Sequence, residues 1–212
     1  EPLEGGGDRV EVVIPYSFVI PGSPGTPRMG RLDTEFGTVY SLAQWFPRVA
    51  VFDDVNGWNH QPYLGAGEFY LNFGDYDLTL TVPASPIVTE ADRDAAASMT
   101  GTKTWRFRAE NVRDVAWGSS KAFLVDGAVA RVPQEDGSTN DVMILSAYPV
   151  EGIGTAENPG WEEATRYGRA SILNNSYWYP YPYPVAISVA SHIGGMEYPM
   201  IHFSSVRSRH KG

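Results

Sequence analysis

Chemistry in this sequence would have to come from four histidines, its carboxylates and one glycine-rich segment, because there is no cysteine to serve as thiolate, disulfide or metal ligand. The histidines are His60, His192, His202 and His210, and none is followed by Glu with a second His four residues on. A zinc site of the H-E-x-x-H type needs two imidazoles one helical turn apart with a Glu beside them as base, so no metal ligand and no catalytic residue is assigned. Asp53-Asp54-Val55-Asn56-Gly57 spaces oxygen ligands as calcium loops do but lacks the closing bidentate Glu, and it reads as a plain turn. Gly65-Ala66-Gly67 is too short to cradle a phosphate, and no G-x-S-x-G elbow surrounds Ser204-Ser205. What remains is Gly194-Gly195-Met196-Glu197-Tyr198-Pro199. Two glycines let another backbone come close, and a carboxylate directly after them on an edge strand can grip a cation such as the free α-amine of a peptide.

The elements that must position these residues change in character along the chain. Arg9 to Ile20, Glu68 to Phe73, Tyr76 to Val82 and Thr104 to Val112 alternate or are rich in aromatic and β-branched residues, which predicts short antiparallel strands. Turns are marked at Pro21-Gly22-Ser23-Pro24-Gly25, Asn56-Gly57 and Gly74-Asp75. Glu90 to Ser98 is Ala- and Asp-rich and reads as a brief helix-like interruption. Further on, Asp141 to Tyr148 predicts a buried strand and Trp161 to Tyr177 a helix with Trp161, Ala164, Tyr167 and Ile172 on its apolar face. Val185 to Ala190 and Tyr198 to Ser204 predict two more strands. The Tyr-Pro run from Tyr177 to Pro184 reads as a stiff aromatic loop between helix and strand rather than a polyproline ligand. The class is therefore α+β, a mainly antiparallel β domain followed by an α/β part.

Composition narrows the partners. The 212 residues are 42% hydrophobic and 19% charged, an ordinary globular balance, and a formal charge of −9 repels nucleic acid and anionic membranes. No apolar run approaches the roughly 20 residues of a membrane span, and the acidic start Glu1-Pro2-Leu3-Glu4 is no signal peptide.

Gly194 to Tyr198 resembles the G-x-M-E-N exopeptidase motif of the aminopeptidase N family of gluzincin metallopeptidases, with Tyr198 where the motif has Asn. Gln44 to Asp54, Gly57-Trp58-Asn59, Tyr63-Leu64-Gly65, Gly67 to Tyr70 and Gly74 to Asp77 are similar to the N-terminal saddle domain of a large bacterial branch of that family. So are Trp105 to Asp114 and Tyr181 to Ala186, and nearly the whole chain is covered in the family's order. The resemblance implies a partial β-saddle domain over 1–126 and, over 127–212, the beginning of a thermolysin-like catalytic domain. In the family the zinc helix follows shortly after the stretch matching Met200 to Gly212. The expectation is accordingly zinc in the full-length protein but none in this chain, which alone would be inactive.

The implied activity is removal of N-terminal residues from peptides. Glu197 would hold the substrate amine, Gln44 would supply a second amine contact close to it, Gly194 and Gly195 would frame the substrate backbone, and Met196 would belong to the same substrate-binding segment. The implied partners are a peptide and the remainder of the catalytic domain. Related proteins are commonly exported, which leans toward a periplasmic or extracellular location in a bacterium. The family's connection is longer across Ile87 to Thr104, so an irregular or broken path is expected between Thr89 and Thr104. A rival reading is a non-catalytic peptide- or protein-binding module that has shed the metal half.

Overall fold

The computed structural model describes residues 9–22, 28–62, 70–83 and 101–205. Those residues are β-rich. A small sheet is formed by β1 (Met29–Asp33), β2 (Thr38–Leu42) and β7 (Trp117–Ser119), antiparallel throughout in the order β1-β2-β7. Two antiparallel pairs stand apart from it: β3 (Val51–Asp53) with β4 (Gly57–Asn59), and the long ribbon of β5 (Gly74–Pro83) with β6 (Thr102–Val112). The largest sheet holds β8 (Phe123–Pro133), β9 (Thr139–Pro149), β10 (Val185–Ser191), β11 (Met196–Tyr198) and β12 (Ile201–Ser205), in the order β11-β12-β10-β9-β8. It is mixed. β9, β10 and β12 run parallel, whereas β8 and β11 pair antiparallel at its two edges.

Joining parallel β9 to β10 requires a crossover, and the crossover carries helix α1 (Ala164–Asn175), entered through a 3-10 turn at Trp161–Glu163. The helix packs on β8, β9 and β10 over Ala130, Val132, Val142 and Ile144. Its inward stripe is Thr165, Gly168 and Ile172 rather than the expected Trp161, Ala164 and Tyr167, and Tyr167 is exposed. Gly168 sets the approach: a Cβ there would stand 3.1 Å from the Ile144 Cγ2. On the sheet's other face Val189, Phe203 and Met196 form a second core with Ala43 and Ile193, and a Cβ on Gly118 of β7 would lie 3.0 Å from Val189. The five-stranded sheet is thus covered by a helix over β8, β9 and β10 on one side and, around Val189, Met196 and Phe203, by the small sheet on the other, where Val129 and Met143 of β8 and β9 stay exposed.

Several sequence expectations need correction. Residues 9–20 form no strand despite their alternation; Pro15 removes a donor, and only the Gly22–Arg31 bridge follows. Val10, Val12, Val13, Ile14 and Val19 are exposed there. Tyr198 to Ser204 is not one strand but a hairpin, broken by the turn at Pro199-Met200. The strand expected over Glu68 to Phe73 is absent from residues 70–73, and the rest of it lies outside the described residues. So do the helix-like stretch Glu90 to Ser98, Gly65-Ala66-Gly67, His210 and all but the last residues of the Thr89 to Thr104 connection. β8 went unpredicted, and it runs without a break across the 126/127 boundary drawn from sequence. The aromatic loop divides: Tyr181 packs into the helix-side core and donates its hydroxyl to the Val185 carbonyl, whereas Tyr177, Trp178 and Tyr179 are exposed.

Candidate functional site

Gly194-Gly195 make the corner into β11, and Gly195 needs its glycine because φ is +66°. β11 is the outermost strand of the sheet, and among the described residues its outer edge pairs with nothing. The hairpin back to β12 uses Pro199 and Met200, the latter at φ +65°, an uncommon angle for a methionine. Along β11 side chains alternate: Met196 is buried and Tyr198 half-buried against the small sheet's side, and Glu197 projects, exposed, on the helix side.

Strand register then decides Glu197's neighbours. It faces His202 across β11 and β12; His202 faces Ser188 on β10, Ser188 faces Ser146 on β9, and Ser146 faces Asp126 on β8. Residues in register share a face, so one polar row crosses all five strands. Ser188 and His202 also line an open cavity of about 550 Å³ beside α1, together with Ser204, Trp161, Tyr167 and Glu151. His202 stays accessible to solvent, yet the protein around it lowers its pKa by partial desolvation, favouring the neutral imidazole. The Ser146 hydroxyl is fully buried without a hydrogen-bond partner among the described residues. The sequence missed this row because it depends on the hairpin at Pro199-Met200 and on the order of the strands; Pro199 was the one local signal.

On the opposite face lies a half-buried polar knot built around the buried Asp114. Gln44, just beyond β2, has φ +54°, one of three non-glycine residues with positive φ among the described residues. Its Nε2 donates to Asp114 Oδ2 at 2.9 Å and to the Tyr198 hydroxyl at 2.8 Å, and its Oε1 accepts from Arg48. Arg48 Nη1 stands 2.9 Å from Asp114 Oδ2, an ion pair almost wholly shielded from water. Burial raises the Asp114 pKa, and the Arg48 guanidinium pulls it part of the way back. Burial, reinforced by the Asp114 charge, pushes the Tyr198 phenol up to about 12.

Gln44 therefore reaches the residue beside Glu197 and not Glu197 itself. Alternation places Glu197 and Tyr198 on opposite faces of β11, and Gln44 belongs to the Tyr198 side. Of the other expected site residues, Gly194 and Gly195 are exposed at the corner and Met196 is a core residue. The carboxylate in the Asp53 turn is used up locally, accepting from the Val55 and Asn56 amides and from Asn59. Among the described residues no three His, Asp or Glu side chains converge so as to hold a metal ion, and no helix is long and apolar enough to cross a membrane.

No protein family, curated protein or solved structure matches this chain. Geometry and the motif resemblance carry the functional reading.

Proposed function

We propose that this chain binds peptides by their free N-terminal amine, as the amine-reading part of a zinc aminopeptidase. The observation that carries the reading is Glu197 standing exposed between two inward-facing residues on a strand whose outer edge is unpaired among the described residues. A peptide backbone can pair along that edge while its terminal ammonium meets the carboxylate in a charge-assisted hydrogen bond. Gly194 and Gly195 leave the corner without side chains where the peptide would begin. Such a grip measures from the N-terminus and so would set exopeptidase register. The five-stranded mixed sheet with its antiparallel edge strand fits the start of a thermolysin-like domain, and the small sheet and ribbon fit a partial saddle domain. Gln44 is left out of the amine contact, since both faces of its amide are engaged in the knot. The described residues do not fit zinc, so hydrolysis is assigned to no residue of this chain.

Calorimetric titration with Leu-Gly-Gly and with its N-acetylated form tests the reading. The free peptide should bind, and acetylation or Glu197→Gln should weaken binding by roughly tenfold or more, the size of a lost charge-assisted bond. Affinity should also fall as pH rises through the α-amino pKa of about 7.7–8.0, where the ammonium is lost. Equal affinity for the two peptides would overturn the reading, and binding of internal peptide segments regardless of their ends would favour the plain binding module.

A further inference from the structure

We infer that Tyr198 is a positioning residue that aims Glu197, and that Gln44, Asp114 and Arg48 form the clamp that holds it. The inference rests on the amine-binding reading. β11 has only three residues, and its ladder to β12 consists of three register pairs. An edge strand this short, entered through two glycines, has little of its own to hold its twist or height. Two anchors supply what the ladder lacks. Met196 is buried in the core with Val189 and Phe203, and the Tyr198 hydroxyl accepts from Gln44 Nε2 at 2.8 Å. Both anchors lie on one face and flank Glu197, so together they fix the direction in which its carboxylate leaves the other face.

The clamp is built at a cost. Gln44 adopts a left-handed backbone that its side chain does not favour, and the carboxylate of Asp114 is taken almost completely out of water. Asp114 is held from four directions, by Gln44 Nε2, by Arg48, by the Val115 amide at 2.8 Å and by the Tyr198 hydroxyl. With Asp114 and Arg48 engaged, the Gln44 amide is fixed in rotation, and its second N–H points at Tyr198. Leu42 and Ala43 just before it are buried, so the clamp is mounted on the rigid end of β2. Strain and a buried ion pair converging on one edge-strand hydroxyl are what a preorganised binding strand requires.

The experiment is a double-mutant cycle on the 212-residue chain, with Leu-Gly-Gly and its N-acetylated form as probes. Tyr198→Phe keeps the ring and removes the hydroxyl, and Gln44→Ala removes the clamp from the other side. Each should lower affinity for the free peptide by roughly tenfold. The combination should cost less than the sum of the two, because both act on one connected clamp. In a Glu197→Gln background Tyr198→Phe should have no further effect, whereas a merely structural residue would lower affinity in both backgrounds. Amide exchange at Met196 and Glu197 should quicken in Tyr198→Phe with the rest of the five-stranded sheet unchanged. Tyr198→Phe with parental affinity, while Glu197→Gln abolishes binding, overturns the positioning role and leaves the amine reading standing. If Glu197→Gln itself binds like the parent, both fall together.

Discussion

Strands β5 and β6 form an antiparallel ladder of 10 and 11 residues, and β8 and β9 form one of 11 and 11. Both alternate apolar and polar side chains. On β5, Tyr76, Leu78, Leu80 and Val82 share a face, and register sets Ala109, Phe107 and Trp105 beside the first three. On the second pair Ala130, Val132, Val142 and Ile144 share a face. Those four are at most 1% exposed, whereas Trp105 is 52% and Phe107 53% exposed. The alternation is equivalent in the two pairs; the burial is not. α1 crosses back over β8 and β9 because parallel β9 and β10 must be connected, whereas no described helix or strand covers the ribbon, and Phe46 and the segment with Val12, Ile14 and Tyr16 lie beside Tyr76 and Leu78. Amphipathic alternation thus creates a face that can be buried, and connectivity decides whether it is.

The sharpest way to break this comparison is to truncate one side chain on each ladder. Ile144→Ala should cost about 2–5 kcal/mol, and Phe107→Ala below about 1 kcal/mol, because half of the Phe107 surface is already in water. Urea denaturation reads both, and equal costs would mean that the ribbon's apolar face is covered in solution. Glycines sharpen the point. Gly168→Leu should cost about 1–3 kcal/mol, since even a Cβ meets Ile144 at 3.1 Å, whereas Gly74→Ala, with nothing within 4 Å, should stay within about 0.5 kcal/mol.

Acid sensitivity should also sort with burial. His192, between β10 and β1, has both ring nitrogens buried and without hydrogen-bond partners among the described residues, and burial lowers its pKa. A depressed folded pKa means that the unfolded chain binds the proton more readily. The stability this group contributes is then whole above the ordinary imidazole value of about 6.5 and is lost as pH falls through the lowered one. Melting temperature should drop between pH 7 and 5, and His192→Leu should flatten that slope, with His202→Gln removing the similarly signed part due to His202. An unchanged slope in the double variant would show that neither imidazole drives it. The smallest effect is expected at the exposed Arg131–Asp141 pair on β8 and β9, 3.5 Å apart: Asp141→Asn should change stability by less than about 1 kcal/mol, because water screens the charges. A larger change would mean that even the outer face of the covered ladder is protected.

Much of the strand pattern was readable. Tyr76 to Val82, Thr104 to Val112, Asp141 to Tyr148 and Val185 to Ala190 all fall within observed strands, because period-two alternation and β-branched runs are local signals. β8 was hidden by Asp126-Gly127 in its middle, which reads as a turn when no neighbour is known. Residues 9–20 failed in the reverse sense: the alternation is there, but no ladder partner meets it among the described residues. The helix was legible and its inward face was not, since Gly168 and Thr165 carry no hydrophobic signal and matter only because β9 and β10 come so close.

For the site, the sequence by itself determined the ingredients: a glycine corner, a glutamate two residues past it, and glutamine, arginine and aspartate at distant points. These are matters of residue type and local spacing, which the chain carries with it unfolded. Only the tertiary structure decided that β11 is an edge strand, that Glu197 shares a row with His202 and Ser188, and that Gln44 holds Tyr198 on the other face. Those relations join residues up to 154 positions apart, and one step along a strand reverses the face on which a side chain emerges. No local preference can fix such a choice, because it is made by packing, when Met196 enters the core and carries its neighbours with it.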